Sequence, residues 1–198
     1  MSAGPVVPAL PASAPRQGNA LARAFGRTIL RLGGWRIEGE FPDLARFVII
    51  VAPHSSAWDA VWGIAGMLAM GVRITFLAKA EAFRGPLGWL LSRIGGVPVD
   101  RDKAHGAVEQ AAARLRGEGS TWFLLAPEGT RRRVERWKSG FWHIARSAQV
   151  PVMLAAFHYP EKTMILGPLV TPGPDADADM ARVREWYRPF IGKRRGTV

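Results

Sequence analysis

The sequence predicts an α/β fold in which helices flank a mostly parallel central sheet. Apolar runs of strand length alternate with segments of helix length along most of the chain. Three of these runs end directly in a turn with charged residues, as strands of such sheets do where their carboxyl ends form a site. The chain has 198 residues and no cysteine, so one domain with its own apolar core and no disulfide is expected.

The N-terminal region is predicted to contain a tail followed by a helix. Residues 1–18 are rich in Pro and Ala and lack the pattern of a secretory signal, so they predict a flexible tail. Residues 19–33 predict an amphipathic helix, which either packs on the domain or lies in a membrane interface; these two interpretations are compatible. Its apolar positions are Leu21, Phe25, Ile29 and Leu32, and its arginines recur at Arg23, Arg27 and Arg31.

The first half of the domain predicts four strands and two helices. The segments "WRIEGE" and "RFVIIVA" are successive strands, and the second is buried because its interior is apolar throughout. Ser55 or Ser56 can cap the next helix, which runs to about Met70. The segment "VRITFLAK" is a strand, "GPLGWLLSRIGG" is a helix with Pro86 near its start and Gly95 at its end, and "VPVDR" is a short strand.

The second half continues the alternation. Residues 104–117 predict a helix, "STWFLLAPEG" a buried strand that ends in a turn, and "SGFWHIARSAQ" a helix. The strands "VPVMLAAFHY" and "MILGPLV" follow, and the helix "DADMARVREWYRPF" precedes a basic "GKRR" segment. A single domain over residues 19–198 is therefore expected, with its motifs between residues 46 and 158.

The charge of the chain indicates an anionic partner. The formal net charge is +11, which favours nucleic acid or an anionic membrane. Eight tryptophans favour the membrane, and no motif that reads RNA or DNA is recognisable, so nucleic acid is not expected. No apolar stretch reaches 18 residues, so we expect peripheral attachment at the cytoplasmic face without a transmembrane helix. Four scattered histidines predict no metal site.

His54 and Asp59 are the first candidates for chemistry. A neutral imidazole is the usual general base near neutral pH, and a carboxylate on its other nitrogen fixes the tautomer. The spacing of five suits such a pair if His54 lies in the turn before a helix and Asp59 in its first turns. On these residues alone, a histidine satisfied by a backbone carbonyl is an equally good interpretation.

Two other strand ends carry arginines. Glu128, Gly129, Thr130 and Arg131 follow one strand, and a glycine there permits a tight turn. Arg101 follows the "GGVPVD" segment. The planar guanidinium can bind two phosphate oxygens, but a solvated basic loop and a surface salt bridge are the ordinary interpretations of these two sites.

Together these segments resemble the lysophospholipid acyltransferase family, best known for 1-acylglycerol-3-phosphate acyltransferases. The four blocks of the family are present in order as "HSSAWD", "GGVPVDR", "PEGTR" and "VPVML". The chain departs from the family pattern at Pro53, where relatives often have Asn, and in its second block. The resemblance implies a glycerolipid acyltransferase-like fold. It also implies acyl transfer from acyl-CoA or acyl carrier protein to a lysolipid hydroxyl, and 1-acylglycerol-3-phosphate is the acceptor we expect.

The resemblance also implies roles for individual residues. His54 would be the general base and Asp59 its partner. The substrate-binding residues would be Arg101, Glu128, Gly129, Thr130 and Arg131. Ser55 and Ser56 would cap the helix or lie near the oxyanion, because the G-x-S-x-G elbow of a serine nucleophile is absent. Apart from the two co-substrates and the membrane surface, no cofactor is implied.

Two alternatives stay open at this stage. One is an O-acyltransferase whose lysolipid acceptor has no phosphate, such as a lyso-aminolipid, because the second block is altered. The other is a basic module that binds membrane or nucleic acid without catalysis.

Overall fold

A computed structural model describes residues 6–99 and 104–194, and its helices and strands alternate as the sequence predicts. The strands are β1 (Arg36–Glu38), β2 (Arg46–Ala52), β3 (Ile74–Lys79), β4 (Gly96–Val99), β5 (Thr121–Leu125), β6 (Val152–His158) and β7 (Thr163–Val170). The α-helices are α1 (Ala20–Gly33), α2 (Trp58–Met70), α3 (Gly85–Arg93), α4 (Ala104–Arg116), α5 (Gly140–Ala148) and α6 (Ala176–Tyr187).

The described strands form one mostly parallel sheet, which confirms the predicted fold class. Their order is β1-β7-β6-β2-β5-β3-β4. Every neighbouring pair is parallel except β6 and β7, which form an antiparallel hairpin. The central strand β2 therefore lies between β5 and β6 with all three carboxyl ends at the same edge. Adjacent strands are about 4.8 Å apart, so residues that follow these ends are neighbours.

Helices cover both faces of the sheet, and β2 is accordingly apolar at every position after Arg46. Val48, Ile50 and Ala52 face a core that includes side chains of α4, α5 and α6. Phe47 and Ile49 face the opposite core, to which α2 contributes Met67. This alternation explains why the strand has no polar face.

Helix α1 packs on α2 through a face that differs from its apolar stripe. Gly26 and Leu30 are buried, and a Cβ on Gly26 would lie 2.4 Å from the backbone nitrogen of Ala69. Only glycine permits this close approach of the two helices. The predicted apolar positions Leu21 and Phe25 are instead 78% and 60% exposed. The interpretation that this stripe packs on the domain is therefore wrong for Leu21 and Phe25.

The prediction that residues 1–18 form a flexible tail is wrong for residues 6–18. The Ile37 N–H donates to the Val6 carbonyl at 2.9 Å, and the Arg73 N–H donates to the Pro15 carbonyl at 2.7 Å. Val7 and Ala14 are buried in two of the apolar clusters. The segment is ordered because backbone hydrogen bonds and a few apolar side chains tie it to the domain, although its composition is typical of disorder.

Candidate active site

The turns after β2, β5 and β6 bring together the polar side chains of the site. His54 lies two residues beyond β2, Glu128 three beyond β5, and Tyr159 directly after β6. The Ala52–Pro53 peptide bond before His54 is cis. The sheet order places β2 between the other two strands, so His54 is central. This edge of the sheet is therefore the candidate active site.

His54 and Asp59 form an ion-pair-type contact at this edge. His54 Nδ1 lies 3.1 Å from Asp59 Oδ2; the carboxylate side chain is fully buried, whereas the imidazole is 28% exposed. A carboxylate can only accept hydrogen bonds, so this contact requires the proton of a neutral imidazole to be on Nδ1. The lone pair is then on Nε2. The structure thus gives His54 the tautomer that a general base needs.

Asp59 is held by four donors, which explains how a carboxylate is accommodated without exposure. Its Oδ2 accepts the N–H groups of Ser55 at 2.8 Å and Ser56 at 2.9 Å in addition to His54. Its Oδ1 accepts the Tyr159 hydroxyl at 2.5 Å. Burial alone would raise the pKa of Asp59, but hydrogen bonds from His54, Tyr159 and the Ser56 N–H outweigh burial and lower it. The first turn of α2 also favours a negative charge at this position.

The two serines contact both the start of α2 and the C-terminal segment. The N-cap position of α2 is Ala57, although the Ser56 hydroxyl oxygen accepts the Trp58 N–H at 3.2 Å. The Ser55 hydroxyl oxygen accepts the Lys193 N–H at 2.8 Å, which ties the C-terminal segment to the site. Both backbone N–H groups donate to Asp59, and the expected position of the serines near the oxyanion stays a prediction.

Glu128 contacts the same turn from β5. Both of its carboxylate oxygens lie 3.2 Å from the His54 N–H, and the residue is only 3% exposed. The contact is within the protein, so Glu128 helps to fix the backbone that carries the imidazole. Sequence reasoning considered Glu128 only as a residue that binds substrate or aims an arginine, and that role stays a prediction.

The turn after Glu128 carries exposed basic side chains. Gly129 has φ of +64°, a conformation that other residues rarely adopt, and a Cβ there would lie 3.0 Å from Cδ and Cε of Lys138. Thr130 Oγ1 accepts the Arg132 N–H at 3.3 Å, and Arg131 is exposed. Arg101, the remaining predicted binding residue, lies outside the described residues.

Sequence reasoning missed Tyr159 and Lys138. Tyr159 is 100 residues from Asp59 in the chain, yet it follows a strand end just as His54 does, and that position was an available signal. Lys138 lies beyond a run of arginines in the sequence, and its stem crosses Gly129. Both residues belong to the candidate site by contact.

Three tryptophans form a stack beside the His54–Asp59 pair, which we call the dyad. Trp62 stacks on Trp58 at 5.7 Å and on Trp35 at 5.3 Å between ring centroids. Trp35 in turn contacts the Tyr159 ring edge-to-face at 4.9 Å. The stack therefore runs from the half-exposed Trp58, over which Lys193 Nζ lies at 4.5 Å, to the tyrosine that holds Asp59.

Loss of the Tyr159 hydroxyl is expected to lower turnover by misplacing the dyad. In Tyr159→Phe, Asp59 Oδ1 loses its donor while the ring is retained. We expect kcat to fall about tenfold with little change in KM, since a hydrogen bond to a charged group contributes about 1.5–3 kcal/mol. Steady-state kinetics over a pH series checks this, and the acid limb of the kcat profile should move.

The other tyrosine of the chain provides the matched control. The Tyr187 hydroxyl is buried and donates to the Ile50 carbonyl at 2.8 Å, away from Asp59. Tyr187→Phe should lower the free energy of unfolding and leave the pH profile in place. Equal effects of both substitutions on kcat and on the profile would show that Tyr159 only supports the fold.

The described part of the chain offers neither a membrane span nor a metal cluster. Within residues 6–99 and 104–194, none of the helices is both long and apolar enough to cross a bilayer. Over the same ranges, no three His, Cys, Asp or Glu side chains come together as metal ligands would. The donor set of the site is thus an imidazole, two carboxylates and basic groups.

Comparisons with known proteins show which family the chain resembles. The sequence model of the family described as Acyltransferase matches residues 36–157. Over 153 residues the chain is 24% identical to a 1-acyl-sn-glycerol-3-phosphate acyltransferase of Streptococcus pneumoniae, a match that covers 73% of this chain and 57% of that relative. The chain thus spans a little over half the length of this curated relative.

A solved structure has a similar fold. The crystal structure of the 1-acyl-sn-glycerophosphate (LPA) acyltransferase, PlsC, from Thermotoga maritima superposes with a TM-score of 0.62. The match covers 84% of this chain and 75% of that chain, at 21% sequence identity. At this identity the comparison supports the α/β architecture.

Proposed function

Because the chain belongs to the acyltransferase family, we propose that it transfers a fatty acyl group from a thioester donor to the hydroxyl of a lysolipid, with 1-acylglycerol-3-phosphate as the acceptor. The observation that carries this proposal is the contact between His54 Nδ1 and the buried carboxylate of Asp59. That contact leaves Nε2 as the basic nitrogen on the more exposed residue of the pair. The donor is acyl-CoA or acyl carrier protein.

The proposed reaction is a direct attack. A lipid hydroxyl has a high pKa, so it needs a base as it attacks the thioester carbonyl. His54 Nε2 takes the hydroxyl proton while the oxygen bonds to the carbonyl carbon, and Asp59 stabilises the imidazolium that forms. The C–S bond then breaks, His54 returns the proton to the sulfur, and the donor leaves as a thiol. No acyl-enzyme intermediate is required.

The acceptor's phosphate is assigned to the turn after β5. Thr130 offers its backbone N–H there, and Arg131 and Lys138 supply cations near the Gly129 turn. The Gly129 N–H donates to the Ala126 carbonyl at 3.1 Å, so Gly129 serves to shape the turn. Charge-assisted hydrogen bonds are about twice as strong as neutral ones, so an Arg next to a phosphate is an effective clamp. Arg101 is proposed to join them, as the family resemblance implies, and Glu128 to keep the turn in place.

A panel of acceptors tests this assignment. Purified protein is incubated with radiolabelled acyl-CoA or acyl carrier protein and each of several lysolipids, and the products are separated by chromatography. We expect the highest kcat/KM with 1-acylglycerol-3-phosphate. A higher value with an acceptor that lacks a phosphate, such as a lyso-aminolipid, would reject the phosphate clamp and retain the acyltransferase.

We further propose that the exposed apolar stripe of α1 attaches the protein to a membrane surface. Leu21, Phe25 and Leu32 project into solvent on one side of α1, and Arg31 and Arg27 follow further round the helix, about 100° and 140° from that stripe. Helices of this kind lie in the interface with apolar side chains among the acyl chains and basic ones near the headgroups. This placement would bring a water-insoluble acceptor to the enzyme.

The Phe25 side chain is expected to contribute strongly to this attachment. Burying an aromatic side chain contributes about 1.5–3 kcal/mol, so Phe25→Ser should weaken partitioning onto vesicles by about tenfold or more. Leu169→Ser, which removes another exposed apolar side chain from β7, should leave partitioning unchanged. Co-flotation with liposomes measures both variants, and equal flotation of Phe25→Ser and the wild type would remove α1 from the proposed interface.

A further inference from the structure

An open cavity of about 620 Å³ lies at the end of α2 that is far from Asp59. Residues 7–10 and 16–18 form one wall, and α1 and the last turn of α2 form the others. Three arginines line it, Arg16, Arg23 and Arg27, and we call it the arginine cleft. None of the described residues that line this cleft is acidic.

Over residues 6–99 and 104–194, no carboxylate pairs with the arginines of the cleft. Arg16 Nη2 donates only to the carbonyls of Leu10 and Pro11, at 3.4 and 3.3 Å, and Arg23 Nη1 only to the carbonyl of Gly18, at 3.5 Å. The Arg27 side chain makes no hydrogen bond or ion pair within the structure as described. Three cations that share one cleft repel each other, and a bound anion would offset that repulsion.

The cleft is also held in shape. The Gln17 N–H donates to the Gly71 carbonyl at 2.8 Å, and Arg16 pairs with Val72 in an isolated antiparallel bridge. The stem of Arg23 crosses Gly71 so closely that a Cβ there would lie 3.0 Å from the Arg23 Cδ. These contacts fix the cleft's walls and one of its guanidinium stems before any ligand arrives, which lowers the entropic cost of binding.

We infer that the arginine cleft binds the phosphate of an anionic lipid headgroup. Guanidinium groups match phosphate oxygens in pairs, and a cavity of this size admits a headgroup. A lipid is favoured over a soluble phosphate because Leu21 and Phe25, on the same helix as Arg23 and Arg27, are exposed and apolar. Because successive residues of a helix are 100° apart, Arg23 and Arg27 lie on the side of α1 turned away from Leu21 and Phe25. With the apolar side chains among acyl chains, the cleft would lie one helix diameter, ~10 Å, from them, at the depth of the headgroups.

This inference rests on the proposed membrane placement of α1 but not on catalysis. Asp59 and Gly71 lie at opposite ends of α2, so the cleft is about 18 Å from Asp59 at 1.5 Å per residue. Variants of the cleft should therefore keep the wild-type kcat towards acceptor dispersed in detergent. If the protein bound lipid through the cleft but transferred no acyl group, this inference would stand and the proposed function would be rejected.

Two variants on the same helix test the cleft. Arg27→Gln removes a cation of the cleft, and Arg31→Gln removes an exposed cation one turn along that does not line it. On vesicles of phosphatidylcholine with phosphatidylglycerol, Arg31→Gln should lower partitioning about fivefold, which is the effect of one charge near such a surface. Arg27→Gln should lower it about tenfold further, because charge-assisted hydrogen bonds are lost as well. Equal losses would overturn the inference.

Two further arms identify the source of the phosphate. On vesicles of phosphatidylcholine alone, the two variants should partition alike, since no anionic headgroup is present. Inorganic phosphate and glycerol 3-phosphate, titrated by calorimetry, should bind the wild type far more weakly than the anionic vesicles do. Tight binding of either soluble anion that Arg27→Gln abolishes, with equal vesicle partitioning of the variants, would assign the cleft to a soluble phosphate and reject the lipid.

Discussion

Substitution of His54 by alanine is expected to reduce acyl transfer by about 10³-fold or more. General base catalysis contributes about 10²–10⁴-fold, and His54 is the residue proposed to supply it. The fold should survive, because His54 is partly exposed and its backbone N–H, which contacts Glu128, is retained. Steady-state rates of product formation, with circular dichroism as the test of folding, measure both effects.

The matched control is another histidine on the same domain. His143 lies exposed on α5, where its ring contacts Trp142 rather than the dyad. His143→Ala should transfer acyl groups at the wild-type rate. If His54→Ala also retained that rate, the proposed base would be wrong even if the protein proved to be an acyltransferase.

Replacement of Asp59 by asparagine is expected to reduce kcat about as much as His54→Ala does. Asparagine keeps the size of the side chain but removes the charge that stabilises the imidazolium, and its amide can donate to Nδ1 and reverse the tautomer. In a hydrolase triad the same change lowers kcat about 10⁴-fold. Asp59→Asn should therefore reduce kcat by about 10³–10⁴-fold, and a reduction of less than tenfold would exclude an orienting role.

Asp59 should also make stability depend on pH, and the sign follows from its pKa. Hydrogen bonds lower the pKa of Asp59 in the folded chain, so its contribution to the free energy of unfolding is present above its unfolded pKa of about 4. That contribution is lost as pH falls through the folded value. Denaturant unfolding at several pH values should show a weaker acid dependence for Asp59→Asn than for the wild type.

The strands and their ends could be predicted because local pattern determines them. The apolar interior of β2 predicts burial on both faces, and the parallel arrangement predicts that the residues after β2 and β5 meet. His54 and Glu128 do meet, and the spacing of His54 and Asp59 suits a turn followed by the first turn of a helix. These are consequences of short segments and of one topological rule.

The features that sequence reasoning missed depend on contacts between distant segments. Tyr159 reaches Asp59 across 100 residues, and no local pattern joins them. Gly26 packs α1 on α2 through the absence of a side chain, which an apolar periodicity does not record. Residues 6–18 are ordered by backbone hydrogen bonds to Ile37, Gly71 and Arg73, and their composition carries no trace of those partners.

The role of His54 in transferring an acyl group to the hydroxyl of a phosphate-bearing lysolipid can be tested directly. The most direct measurement supplies purified wild type and His54→Ala with a radiolabelled acyl thioester and 1-acylglycerol-3-phosphate, then quantifies labelled diacylglycerol phosphate over time. We expect steady formation of this product by the wild type and almost none by the variant. Equal product from both proteins, or none from the wild type with either acyl-CoA or acyl carrier protein, would contradict it.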